Sequence, residues 1–135
     1  MIRLLVADDH EVIRFGLQSL LGQEPDISVI GMAADGRAAV DMVVANPPDV
    51  VLMDLSMPVL DGVAATREIA LAAPWVRVLV LTSYSHESIV REALAAGAHG
   101  YLLKDSSPMA LIDAIRAVYR GESPMAPAVR GMFGA

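Results

Sequence analysis

Cysteine is absent from the chain, which excludes disulfide bonds, thiolate metal sites and a cysteine nucleophile. It says little about compartment, because cytosolic proteins need none. Long apolar runs are also missing. The hydrophobic residues are dispersed in short stretches, none near the roughly 20 consecutive positions that a membrane-spanning helix requires. Met1-Ile2-Arg3 leads straight into a strand-like run with no signal peptide, so a soluble cytoplasmic protein without membrane contact is expected. Basic charge is scarce: the formal net charge is -6, and no basic patch occurs that would neutralise nucleic-acid phosphates, which argues against direct contact with DNA or RNA. Ten residues are basic, and only Lys104 among them is a lysine.

Apolar residues, by contrast, make up 55% of the 135 residues. A chain of this size and composition can bury one substantial core. Leu4 to Ala7 is a short apolar run ending in Asp8-Asp9, after which Ile13, Leu17, Leu20 and Leu21 recur at helical spacing up to Gly22. The alternation repeats. Ile27 to Met32 precedes a helix that opens at Asp35-Gly36 and ends before Asn46-Pro47-Pro48; Val50 to Met53 ends at Asp54, and a helix with Ala65, Ile69 and Ala72 follows Asp61-Gly62. Val76 to Leu81 ends in Thr82-Ser83 and precedes a helix stopped by Gly97. Tyr101 to Leu103 ends at Lys104, and Ser107 with Pro108 starts a last helix that carries Leu111, Ile112, Ile115, Val118 and Tyr119 to Gly121.

Five apolar strands, each followed by an amphipathic helix, predict an α/β fold with a doubly wound five-stranded parallel sheet covered on both faces. In such a sheet ligands bind outside the carboxyl ends of the strands. Those ends are Asp8 and Asp9, Asp54, Thr82 and Lys104, whereas the second strand ends in Ala33-Ala34. Three converging carboxylates repel one another by about 3 to 4 kcal/mol per close pair at an effective dielectric near 20 and need a cation. Oxygen ligands and a water-rich site favour magnesium. Lys104 supplies a point charge and Thr82 a hydroxyl. A carboxylate facing this set is arranged to attack phosphorus and hold an acyl phosphate. Asp54 stands alone on the middle strand and is the expected nucleophile.

Asp8-Asp9, Asp54 within Leu52-Met53-Asp54-Leu55-Ser56-Met57-Pro58, Asp61-Gly62, Thr82-Ser83 and Gly100-Tyr101-Leu102-Leu103-Lys104 together resemble the signature of response regulator receiver domains, from Arg3 to about Arg120. Asp8-Asp9-His10-Glu11 with Arg14 and Gly16-Leu17, and Tyr101-Leu102-Leu103-Lys104-Asp105, are similar to the NarL/FixJ-type subfamily. The resemblance implies a flavodoxin-like strand order, 2-1-3-4-5. It implies a Mg2+ site of Asp8, Asp9, Asp54 and the Ser56 backbone carbonyl, with Lys104 and Thr82 on the phosphoryl oxygens. Thr82 and Tyr101 match the family's switch pair, which remodels the face of the fourth helix, fifth strand and fifth helix on phosphorylation. Ser56 and Tyr84 match positions that tune phosphoryl lifetime. A sensor histidine kinase as phosphodonor and a homodimer of the phosphorylated form are the implied partners.

Residues 1–121 are therefore expected to form the receiver, which is a phosphoacceptor rather than an enzyme. The segment 122–135, with Pro124, Pro127 and little periodicity, is expected to be a linker or tail leading to a helix-turn-helix DNA-binding domain absent from this chain and serving transcription regulation. Asp105 departs from the commoner proline after the lysine and leaves the peptide geometry there open. Other readings weigh less. A haloacid-dehalogenase-like phosphatase would place a second aspartate at position 56, where Ser56 stands. A nucleotide- or flavin-binding domain would need a glycine-rich motif after the first strand. A receiver that takes no phosphate would lack one of the residues that are complete here. Asp8-Asp9 alone would be an ordinary turn and cap, Thr82 alone a helix cap, and Tyr101 alone a packed aromatic. His10, His86 and His99 show no metal-ligand spacing and are expected to be solvated surface residues.

Overall fold

The structure is a computed structural model that describes residues 1–133. Five strands, β1 (Ile2–Ala7), β2 (Ile27–Ala33), β3 (Val50–Met53), β4 (Arg77–Thr82) and β5 (Gly100–Leu103), form one sheet in the order β2-β1-β3-β4-β5. Each neighbouring pair is parallel. Helices α1 (Glu11–Leu21), α2 (Gly36–Ala45), α3 (Gly62–Ala72), α4 (Glu87–Ala95) and α5 (Pro108–Tyr119) supply the crossovers. The flavodoxin-like order is thus the observed one.

Side chains alternate across the strands and divide the core in two. Leu4, Val6, Val50, Leu52, Leu79, Leu81 and Leu102 pack with Leu21 of α1 and with Leu111, Ile112, Ile115 and Val118 of α5. Leu5, Ala7, Val51, Met53, Val78, Val80 and Tyr101 face Val40 and Val43 of α2, Ala65 and Ile69 of α3, and Val90 and Ala93 of α4. The strands are buried from both sides, which is why each reads as a continuous apolar run instead of an alternating one.

Caps set the helix starts. Asp35, Asp61 and Ser107 accept from the backbone N–H three residues on, at 2.8, 2.9 and 3.1 Å. Arg77 closes the other end of the molecule: its Nη1 donates to the Val118 and Tyr119 carbonyls at 2.9 and 3.0 Å, satisfying the C-terminus of α5.

Two expectations change here. The segment after Gly121 is not a free linker in its first part: the Tyr101 N–H donates to the Pro124 carbonyl at 3.0 Å and the Ala126 N–H to the Tyr101 carbonyl at 2.8 Å. Pro127–Phe133 then form helix α6, and Ala126 and Val129 are buried in the core cluster that contains Tyr101. Four apolar side chains, Met125, Ala126, Val129 and Met132, dock it, a pattern too short to register as a helical period. Met125 and Met132 pack against the same cluster. His99, expected at the solvated surface, is half-buried instead, and its Nδ1 accepts the Val78 N–H at 3.1 Å. Burial and the nearby Arg77 charge hold its pKa below the ordinary value near 6.5, so the acceptor nitrogen stays unprotonated.

Candidate functional site

The ladder hydrogen bonds continue one residue past the strands and thereby align the strand ends. The Asp8 N–H donates to the Ala33 carbonyl at 3.0 Å, the Asp54 N–H to the Ala7 carbonyl at 2.9 Å and the Lys104 N–H to the Thr82 carbonyl at 2.9 Å. Asp8, Asp54 and Lys104 thus leave the sheet in one row. Arg14, one turn into α1, ties the Asp8 carbonyl with Nη1 at 2.6 Å.

The row closes into a cluster. Lys104 Nζ lies 3.0 Å from Asp8 Oδ2 and 3.4 Å from Asp54 Oδ2. Asp8, Asp9, His10 and Asp54 each offer a ligand atom, all within 4.8 Å of one another. Asp8 and Asp54 are each only 3% exposed, whereas Asp9 is open to solvent. One Asp54 oxygen accepts the Leu55 N–H at 2.9 Å. The other, Oδ2, is buried without any hydrogen-bond donor, although Lys104 stands at ion-pair distance. Burial raises the pKa of Asp54 above the ordinary carboxylate value and the neighbouring Asp8 raises it further, against the opposing pull of Lys104. Desolvation pulls the Lys104 pKa down, but the hydrogen bond to Asp8 and the two carboxylate charges outweigh it and leave the ammonium form favoured.

One lysine does not balance three carboxylates. Three of the four groups offer hard carboxylate oxygen, and the buried Oδ2 with no donor of its own is where a further cation would relieve the most repulsion. These residues fit a small divalent ion.

A cleft of about 310 Å³ opens over the cluster, lined by Asp9, His10, Asp54, Ser56, Thr82, Ser83, Tyr84 and Lys104. Ser56 and Tyr84 are exposed at its rim. Thr82 is buried, and its Oγ1 accepts the Tyr84 N–H at 3.4 Å; Tyr101, also fully buried, donates its hydroxyl to the Tyr84 carbonyl at 2.7 Å. Burial pushes the Tyr101 hydroxyl up to about 12. Thr82 and Tyr101 are therefore joined through the backbone of Tyr84. The residue names gave no sign of this link, because the connecting groups are main-chain atoms.

Every residue expected at the site lies in or beside it. His10, which has no metal-ligand spacing in the sequence, lies beside the cluster with its Nδ1 3.1 Å from both Asp8 Oδ1 and Asp9 Oδ1. Its side chain remains mostly exposed, so it stays at the surface as expected while pairing with the two aspartates beside it in the chain. Among the described residues no peptide bond is cis, so Asp105 continues from Lys104 in the ordinary trans geometry. The loop after Asp54 holds a non-glycine residue at positive φ, Val59 at 68°, where the Leu60 N–H donates to the Pro58 carbonyl at 2.7 Å. A β-branched residue in that region is strained.

Residues 4–116 match the response regulator receiver domain family. The chain belongs to this family. The receiver is 44% identical over 131 residues to the transcriptional regulatory protein LiaR of Bacillus subtilis, an alignment covering 97% of this chain and 62% of LiaR. The crystal structure of a LuxR-family two-component response regulator from Aurantimonas superposes with a TM-score of 0.93 at 33% identity, over 98% of this chain and 94% of that one. A structure of RcsB dimers bound to two parallel DNAs superposes with a TM-score of 0.87 at 27% identity, over 97% of this chain and 67% of that one. These similarities place the receiver in the NarL/FixJ type of two-component signalling proteins. The chain spans a little under two thirds of the length of LiaR. Among the described residues no helix is long and apolar enough to cross a membrane.

Proposed function

We propose that Asp54 is the phosphoacceptor of a two-component phosphorelay. The observation that carries this reading is the Asp54 carboxylate itself: buried, with one oxygen held by the Leu55 N–H and the other free of donors, beside Lys104 and at the floor of an open cleft. Asp54 Oδ2 attacks the phosphorus of a phosphohistidine on a sensor histidine kinase. The new O–P bond forms as the donor's N–P bond breaks, and the imidazole leaves with the electron pair. Lys104 already sits between Asp8 and Asp54 and is placed to hold the phosphoryl oxygens, with the Thr82 hydroxyl as the donor on the other side.

Asp8, Asp9, Asp54 and the Ser56 backbone carbonyl are the groups that would hold Mg2+, which supplies neutralising charge for the carboxylates and for the phosphoryl group. Ser56 and Tyr84, at the rim, control the access of water and so the lifetime of the acyl phosphate. The receiver acts as a switch and not as a turnover enzyme: it assists its own phosphorylation and dephosphorylation. A pull of the Thr82 hydroxyl toward the phosphoryl group draws on the Tyr84 N–H, and the Tyr84 carbonyl passes the shift to Tyr101 and β5. We place the receiver in the cytoplasm, with homodimer formation as the response. The RcsB dimers on DNA and the regulatory name of LiaR support transcription control through a C-terminal DNA-binding domain, reached through the segment 122–135.

Incubation with Mg2+ and a small acyl phosphate, read by intact mass, is expected to add one phosphoryl group to the wild type and none to Asp54→Asn. Label on another residue would overturn the assignment, and multiple turnover of the donor without accumulation would return the phosphatase reading.

A further inference from the structure

Both backbone groups of Tyr101 at the outer edge of β5 are taken by one stretch of the chain. The Tyr101 N–H donates to the Pro124 carbonyl at 3.0 Å, and the Tyr101 carbonyl accepts the Ala126 N–H at 2.8 Å. Met125 between them pairs with Tyr101 as an isolated parallel bridge. Gly100 admits this approach, because a Cβ there would stand 2.9 Å from the Pro124 carbonyl. Beyond the pairing, α6 lies against α4, and Ala126 and Val129 are buried in the cluster that holds the Tyr101 ring. The hydroxyl of the same ring donates to the Tyr84 carbonyl at 2.7 Å. The Tyr84 N–H in turn reaches Thr82 Oγ1 at 3.4 Å, a long bond that holds this backbone weakly. Tyr101 is therefore fixed from two sides: its backbone by the segment 124–126, its hydroxyl by the loop that borders the cleft over Asp54.

We propose that docking of residues 124–133 onto β5 and α4 and phosphorylation of Asp54 are reciprocally coupled through Tyr101, so that each stabilises the other. The inference rests on Asp54 as acceptor, the function proposed above, and adds a contact that the acceptor controls. A phosphoryl oxygen accepts a hydrogen bond from the Thr82 hydroxyl, whose lone pairs stay available to the Tyr84 N–H. Polarised by that bond, Oγ1 becomes a better acceptor, and the Tyr84 backbone is held more firmly. Its carbonyl then keeps the Tyr101 ring inward, where Ala126 and Val129 pack in the same cluster. An outward ring would take that apolar contact away from the segment, so whatever fixes the ring inward also favours the docked state. Linkage requires the same factor in both directions. Residues 124–133 thus respond to the state of Asp54 and feed back on it.

The test follows amide hydrogen exchange of the whole chain by NMR, with Mg2+ alone and with Mg2+ plus beryllium fluoride as the phosphoryl analogue. Beryllofluoride is expected to slow exchange of the Tyr101 and Ala126 N–H groups about five-fold. The Ile2 N–H, bonded to the Asp26 carbonyl at 2.7 Å where β1 meets the start of β2, should be unaffected. Val129→Asp puts a charge at a fully buried position and undocks α6, and it should weaken beryllofluoride binding by the same factor. The exchange measurement on the wild type needs no variant and decides the matter if Val129→Asp does not fold. Unchanged or faster exchange at Tyr101 and Ala126, equal slowing at Ile2, or unchanged affinity in a folded Val129→Asp overturns the coupling and leaves Asp54 as acceptor standing. Failure of beryllofluoride to bind the wild type overturns the acceptor reading, and the inference with it.

Discussion

At the residue scale, the site is built by keeping a charge where the fold does not favour it. Asp54 has its folded pKa above the unfolded value near 3.8 because it is buried beside Asp8. The folded state therefore binds the extra proton between the two values, and stability falls as pH rises through that window and stays lower above it. At neutral pH and without Mg2+, Asp54→Asn removes this penalty and is expected to raise stability by about 1 kcal/mol, or roughly 3–5 °C in Tm. The gain should vanish below pH 3.8 if thermal melts are followed across pH. Added Mg2+ should raise the wild-type Tm more than that of the variant. Val59 is a second residue under strain, at φ 68° and 81% exposed. Val59→Gly, which has no Cβ to strain at positive φ, is expected to stabilise the fold by about 0.5–1 kcal/mol in urea unfolding, since no packing is lost.

At the scale of elements, the helix starts hold the site's backbone in place. Gly62 begins α3, and a Cβ there would overlap the Asp54 carbonyl and crowd the Leu55 Cα. The requirement for glycine is therefore close approach and not an unusual φ. Gly62→Ala is expected to cost about 2 kcal/mol or more, because backbone atoms must move to admit the methyl group. It should also slow labelling of Asp54 by acyl phosphate, a kinetic readout that distinguishes displacement of the acceptor from simple loss of stability. Gly36, at the start of α2, is blocked in the same way by the Leu60 carbonyl, so the loop after Asp54 is packed between two glycine helix starts.

At the scale of the whole molecule, β5 lies at the edge of the sheet and the chain's own segment 124–126 pairs with it. The pairing satisfies the Tyr101 N–H and carbonyl, and it seats Ala126 and Val129 over the core face that holds the Tyr101 ring. A chain ending at Gly121 is expected to lose about 2–3 kcal/mol from two backbone hydrogen bonds and two buried side chains. It should also self-associate through the bared edge. Urea unfolding and light scattering of the shortened chain measure both effects; unchanged stability would mean that the segment merely rests on the sheet. The expected output face of α4, β5 and α5 is thus already in contact, at β5, with the segment 124–126. A shift of Tyr101 reaches that segment directly.

The sequence by itself determined the architecture and the chemical inventory of the site. Strands buried on both faces must be continuously apolar, and each of the runs ending at Asp8, Asp54, Thr82 and Lys104 carries that mark because no solvated face interrupts it. Turn and cap residues such as Asp61, Ser107 and Pro108 are equally legible, since their roles are local. What the tertiary structure decided depends on contacts between residues distant in the chain or on main-chain atoms. The Tyr84 backbone joins Thr82 to Tyr101. His99 Nδ1 accepts the Val78 N–H of β4, and the segment 124–126 finds the β5 edge. His10 faces the carboxylates only because the turn after β1 carries its ring back over Asp8 and Asp9. None of these contacts has a period or a composition, so only the folded chain brings them together.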